Sequence, residues 1–309
     1  YEFYMGDWSS DVCSSDLSEH AGGAVGSAWS MNMAASRFDL FYADGSGEER
    51  VMRVDGAGAT LRDRSDATFT SDAFFDTLTS IHTSLLSGEI GSWVIGISGL
   101  LLLTHLILGV RLAVPRLKIL RAVLFMKPAG GLRARLYAWH RRVGLWLSVP
   151  AIIVVCAGML LVFEHGVGDL VGGEIPAPVV LASAIQTQAR LPPAEAMRIA
   201  LSHVPGSRLS ALSMPTAGEP WYEIRLYEPG DMPRMWGKST LYLSASDGHI
   251  LSDNPAGSGS AGRTFVESLY PIHTGQIGGF AGRGALLVLG IWFVLMTVLG
   301  VRMWLAARR

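Results

Sequence analysis

Five histidines stand inside or at the ends of long apolar runs: His82, His105, His140, His165 and His273. An imidazole within hydrocarbon costs free energy unless it faces a partner or a cofactor. One imidazole from each of two facing helices is the donor set of a bis-histidine haem, held in an apolar cavity that tunes its potential. Each histidine also has a structural reading. His105, in LLLLTHLIL, would otherwise bond a neighbouring helix. His82 and His273, each in an Ile-His-Thr triplet, would cap a helix entry. His140, in WHRR, would anchor the interface beside Trp139 and snorkelling Arg141 and Arg142. His203 and His249 fall in polar stretches and read as structural or exposed.

The elements that must position these side chains repeat. IHTSLLSGEIGSWVIGISGLLLLTHLILGVR, residues 81–111, recurs without a gap as IHTGQIGGFAGRGALLVLGIWFVLMTVLGVR, residues 272–302, an offset of 272 − 81 = 191. His82 and His273, Gly88 and Gly279, Gly91 and Gly282, Gly99 and Gly290, and Arg111 and Arg302 coincide. Internal duplication accounts for this, and the equivalence brings His82 and His273 toward a pseudo-twofold axis. His105 meets Met296, a weaker ligand position or, more simply, an apolar packing residue, so the copies have diverged there.

Each copy carries an apolar run, 93–111 and 285–304; at ~1.5 Å per residue the first is roughly 27 Å long, close to the ~30 Å hydrocarbon core. Residues 144–163 form a third span that Pro150 is expected to bend. His105 lies roughly 9 Å along its helix from Arg111, at the level of His140, whereas His82, His165 and His273 lie toward the other face. Two such layers suit two haems and an electron path across the bilayer.

Half of the 309 residues are hydrophobic and only 17% are charged, with a mean hydropathy of +0.33, the composition of an integral membrane protein. A net charge of −1 supplies no basic field for nucleic acid. Basic residues instead cluster by side. No acidic residue stands between Arg111 and Arg142, and Arg302, Arg308 and Arg309 close the chain. The positive-inside bias makes both regions cytoplasmic, giving N-outside, three spans and C-inside, with the soluble stretches facing outward. There is no phosphate loop, HExxH, CxxC or nucleophile elbow.

Residues 7–17, DWSSDVCSSDL, read as a sequencing-adapter remnant, so 1–17 with Cys13 are set aside and Cys156 stands alone. The chain then enters what reads as the middle of a domain, and an N-terminal portion is expected upstream. From Ser30 to Asp63 the pattern is extended, with turns at Asp44-Gly45-Ser46-Gly47 and Asp55-Gly56. Ser71 or Asp72 should cap a helix carrying Phe74, Phe75, Leu78, Ile81 and Leu85. After Pro192-Pro193 come a helix, strands near 209–214, 221–227 and 239–243, and a return at His249-Ile250-Leu251.

TLYLSASDGHIL resembles the closing hairpin of a PepSY domain, and IHTGQIGG, LGVRMW and WHRRVGLWLSVPAIIVVCAGMLLVF resemble spans of the PepSY-associated transmembrane family. The resemblance implies an α-helical membrane protein, with three spans present and four in the full protein, carrying periplasmic α+β PepSY-like domains. Its parts would be 18–70, a partial periplasmic remnant; 71–114, interfacial helix and span; 115–135, cytoplasmic loop; 136–166, span; 167–262, periplasmic domain; and 263–309, interfacial segment and span. The first, missing span would be the repeat partner of 139–163. Some members are ferric-siderophore reductases, which implies one or two b haems in a bacterial inner membrane, with His82, His105, His140, His165 and His273 as axial-ligand candidates, a ferric siderophore as acceptor and an unnamed electron donor. The alternative is a periplasmic module without redox activity that binds a protein or peptide partner, as in the control of peptidases.

Overall fold

The computed structural model describes residues 25–30, 37–55, 59–65, 74–114, 116–125, 129–173, 191–216, 218–229, 231 and 236–308. The adapter-like tract with Cys13 and the expected cap at Ser71 or Asp72 lie outside them. Its strands are β1 (Val25–Ser30), β2 (Arg37–Ala43), β3 (Glu49–Asp55), β4 (Thr60–Ser65), β5 (Arg208–Ser213), β6 (Trp221–Tyr227), β7 (Ser239–Ser244) and β8 (Ile250–Asn254). Its helices are α1 (Phe74–Ser84), α2 (Gly88–Ala113), α3 (Leu120–Phe125), α4 (Leu132–Trp146), α5 (Ser148–Val162), α6 (Glu164–Val171), α7 (Pro193–His203), α8 (Ala261–His273) and α9 (Gly279–Ala307). The chain forms two compact units, residues 1–79 with 172–264 and residues 80–171 with 265–309.

Two antiparallel meanders build the first unit. Between β2 and β3, Asp44 Oδ1 accepts the Ser46 N–H at 2.8 Å and the Glu48 N–H at 3.0 Å, and Gly47 completes the turn at φ +83°. The meanders join through their first strands, since β1 pairs with β5, which gives one 8-stranded sheet in the order β4-β3-β2-β1-β5-β6-β7-β8. Strands from 18–70 and from 167–262 therefore share a sheet. Met52, Leu40, Ala28, Leu212, Ile224 and Leu241 stand opposite one another in successive registers. They make an apolar row on one face. Pro193 starts α7, which buries Ala196, Met197 and Ala200 in the same core.

The second unit holds the membrane helices. Gly88–Ala113 and Gln276–Ala307, 26 and 32 residues, are long and apolar enough to cross a bilayer. α4 and α5 meet that test only as a pair bent by 62°. The bend falls at Leu147, a turn before Pro150. Proline offers no N–H to the Trp146 carbonyl and its ring crowds that carbonyl, so the helix must break ahead of it. Carbonyls freed at the end of α4 find other donors: Val143 O accepts Trp292 Nε1 at 2.6 Å and Leu145 O accepts Ser148 Oγ at 3.1 Å.

Packing between α2 and α5 rests on small residues. A Cβ on Gly96 would stand 2.8 Å from the Phe163 ring, against which Trp93 sits edge-on at 5.3 Å. Elsewhere α2 and α9 expose Leu101, Leu108, Leu287, Ile291 and Val294, apolar surface that suits lipid rather than water. The sequence places Leu85 on the amphipathic stripe of α1. The helix in fact ends at Ser84, and Leu85 and Leu86 turn left-handed at φ +50° and +58°.

Candidate functional site

α1 closes on His82-Thr83-Ser84 and α8 on His273, with Thr274 just beyond it, and each turns tightly into a long apolar helix. Both turns require glycine at the same two places. Gly88 and Gly279 adopt φ +57° and +56°, a conformation that costs other residues strain. A Cβ on Gly91 or Gly282 would lie 1.6 Å from the Ser84 carbonyl oxygen or 2.1 Å from that of Gly275. The repeated glycines thus let each short helix turn tightly into the span that follows it.

This geometry brings the two repeat-equivalent histidines together. The rings of His82 and His273 have centres 5.9 Å apart and planes 11° from parallel. The rings are stacked as they stand; with metal–nitrogen bonds of ~2 Å, two imidazoles holding one ion would have ring centres at a similar separation, about 6 Å, with their nitrogens rather than their faces turned toward it. His273 Nδ1 lies 2.9 Å from the Val154 carbonyl oxygen of α5. A carbonyl only accepts, so Nδ1 carries the proton and Nε2 the lone pair. Gly158, one turn further along α5, admits the ring: a Cβ there would stand 2.4 Å from His273 Cε1 and 2.6 Å from Nδ1.

His82 keeps an exposed edge. Loss of hydration on its inner side, and then the neighbouring His273 imidazole, hold its pKa below the ordinary histidine value. The neutral form, with its lone pair, is favoured. Gln276, in the short turn after α8, is buried, and its Oε1 has no hydrogen-bond partner.

The other histidines are placed apart from this pair. His105 is exposed on α2, its Nδ1 2.7 Å from Leu101 O of its own helix. His140 is half-buried in α4, with a buried Nδ1 that has no partner, and its Cε1 would be 3.7 Å from a Cβ on Gly300. Among the described residues neither makes a ring contact with the other. His165 is exposed on α6. Met296, equivalent to His105, packs its terminal methyl 3.0 Å from where a Cβ on Gly144 would be, against a core of Val143, Ala151, Leu289 and Trp292. On the sheet unit His203 Nε2 meets Asp253 Oδ2 at 2.8 Å. No group of three or more His, Cys, Asp or Glu residues able to hold a metal ion occurs among the described residues.

The imidazoles stand out by residue type, and the groups that fix them do not. Val154, Gly158, Gln276 and Trp292 carry weaker signals. A glycine inside an apolar helix marks close approach, and Gly158 is one. Gln276 is the polar residue standing where the other copy has Leu85.

A family model described as PepSY-associated TM region matches residues 14–307. No curated protein matches the chain.

Proposed function

The chain belongs to the PepSY-associated TM region family, and from that footing we propose that it is a membrane electron-transfer protein in which His82 and His273 would hold a haem b. The observation that carries this reading is the near-parallel imidazole pair, 5.9 Å between ring centres, with one member tied through Nδ1 to Val154 O. Two imidazoles make only half of a tetrahedral site, so they suit an iron that arrives with its own ring of nitrogen donors. When bound, the haem would supply one-electron chemistry.

The protein's own part is orientation and insulation. Val154 fixes the tautomer and tilt of His273, Gly158 leaves space for its ring, and His82 closes the pair from the other copy of the motif. The apolar helices flank the pair, while His82 keeps an exposed edge. The reading extends to a bacterial inner membrane, with the sheet unit periplasmic, the basic helix ends and C-terminus cytoplasmic, and a ferric siderophore as acceptor for electrons from a cytoplasmic donor. His105, His140 and His165 are the candidates for a second haem.

The test is a reduced-minus-oxidised visible spectrum of the purified natural full-length protein in detergent. A sharp b-type α-band is expected, lost in His273→Ala and His82→Ala. A further drop in haem content in His105→Ala would assign that residue to a second haem. Colourless protein from haem-replete cells would overturn the reading and leave the sheet unit, binding a protein or peptide, as the functional part.

A further inference from the structure

Cations gather at one end of the helical unit with their charge unspent. Three contacts place the helix ends at that level. Arg141 Nε donates to the Ala113 carbonyl at the close of α2 at 2.7 Å, and Arg142 Nε to Val123 O of α3 at 3.4 Å. His140 lies 3.7 Å from the Cβ position of Gly300 in α9. Around these contacts Arg111, Arg116, Lys118, Arg121, Arg133 and Arg135 are exposed, and among the described residues none of them is in an ion pair. The stretch that holds them contains no acidic residue.

Apolar and aromatic surface shares this collar. Leu112, Phe125, Tyr137, Trp139 and Trp304 are exposed, and the Arg308 guanidinium lies 3.6 Å over the Trp304 ring. Aromatic rings and cations at the ends of apolar helices mark interface height. A soluble acidic protein or a nucleic acid would satisfy the charge and leave the apolar half in water. A phospholipid matches both halves.

We propose that this collar binds anionic phospholipid, with phosphodiester headgroups on the free guanidinium and ammonium groups and acyl chains along Leu112, Phe125 and Trp139. The site is separate from the imidazole pair and holds whether or not a haem is bound.

The full chain is reconstituted in phosphatidylcholine vesicles containing equal mole fractions of either brominated phosphatidylglycerol or brominated phosphatidylcholine, and tryptophan quenching is compared. Brominated phosphatidylglycerol is expected to quench more, with a preference of about fivefold, the factor supplied by one well-placed cation. The preference falls to parity in Arg116→Gln/Lys118→Gln/Arg121→Gln/Arg133→Gln/Arg135→Gln and survives in Arg116→Lys/Arg121→Lys/Arg133→Lys/Arg135→Lys, which keeps the charge. Equal quenching by the two lipids, which an acidic protein partner also predicts, overturns the proposal, as does a preference that persists in the glutamine variant. Loss of the preference to inorganic phosphate at matched ionic strength would overturn it too, in favour of a free-phosphate site.

Discussion

In the copy at 272–302 the imidazole is held from behind: His273 leans on Val154 and Gly158 of α5, and its turn runs through Gly275 at φ +71°. In the copy at 81–111 the equivalent His82 keeps an exposed edge, and its turn runs through Leu85 and Leu86, both left-handed. Further along, Met296 is packed in a core, whereas its equivalent His105 is exposed. Repeat-equivalent segments thus have unequal surroundings, because α5 offers its carbonyl and its glycine to one imidazole only. The pair reads as one anchored donor and one adjustable donor. That is a reasonable division of labour where a group has to enter between two ligands.

Removing the anchor should have the largest effect. Gly158→Leu drives a side chain into the His273 ring, whose Cε1 lies 2.4 Å from the Cβ position. Haem content per protein, read from the reduced-minus-oxidised spectrum, should fall at least ~tenfold, as for the loss of a ligand's supporting contact. Gly290→Ala is the control, since a Cβ there meets nothing within 4 Å. Equal losses in the two variants would mean that general helix packing, not the anchor, governs the site.

The diverged position gives a smaller contrast. Met296→Ala removes packing over Gly144 and should cost about 1–2 kcal/mol, the low end for a partly buried side chain. His105→Ala, on an exposed face, should stay within about 0.5 kcal/mol. Thermal unfolding of haem-free protein in detergent measures both. A His105 effect as large as that of Met296 would mean that the first copy also has a packed surface at this level.

Several features could be read from residues alone because they are local. Apolar length marks the spans, alternation and Asp-Gly turns mark the strands, and the offset of 191 places His82 opposite His273. What escaped the sequence is non-local. Val25 to Ser30 carries no strong alternation, and its strand forms because β2 and β5 flank it. The bend is the exception: Pro150 predicts it, and it falls at Leu147 because the carbonyl that Pro150 cannot serve belongs to the preceding turn. Val154 and Gly158 look like any other positions on an apolar helix until α8 is laid against them. Imidazoles announce themselves by chemistry; their supports are defined by packing.

The smallest effect concerns the turn of the first copy. A left-handed conformation costs a residue with a side chain roughly 1–2 kcal/mol, and the first copy places two leucines there. Leu86 is 37% exposed, so Leu86→Gly sacrifices little packing, although glycine also loosens the unfolded chain by up to about 1 kcal/mol. The expected net gain is about 0.5 kcal/mol, a rise of roughly 1–2 °C in Tm. The reverse change, Gly275→Ala, meets both the backbone conformation and the Gly282 carbonyl oxygen, 2.7 Å from the Cβ position, and should cost about 2 kcal/mol. If Leu86→Gly instead lowers Tm, the leucine side chains hold the first turn in place. The first copy would then be as firmly built as the second, and the idea of an adjustable His82 would lose its structural basis.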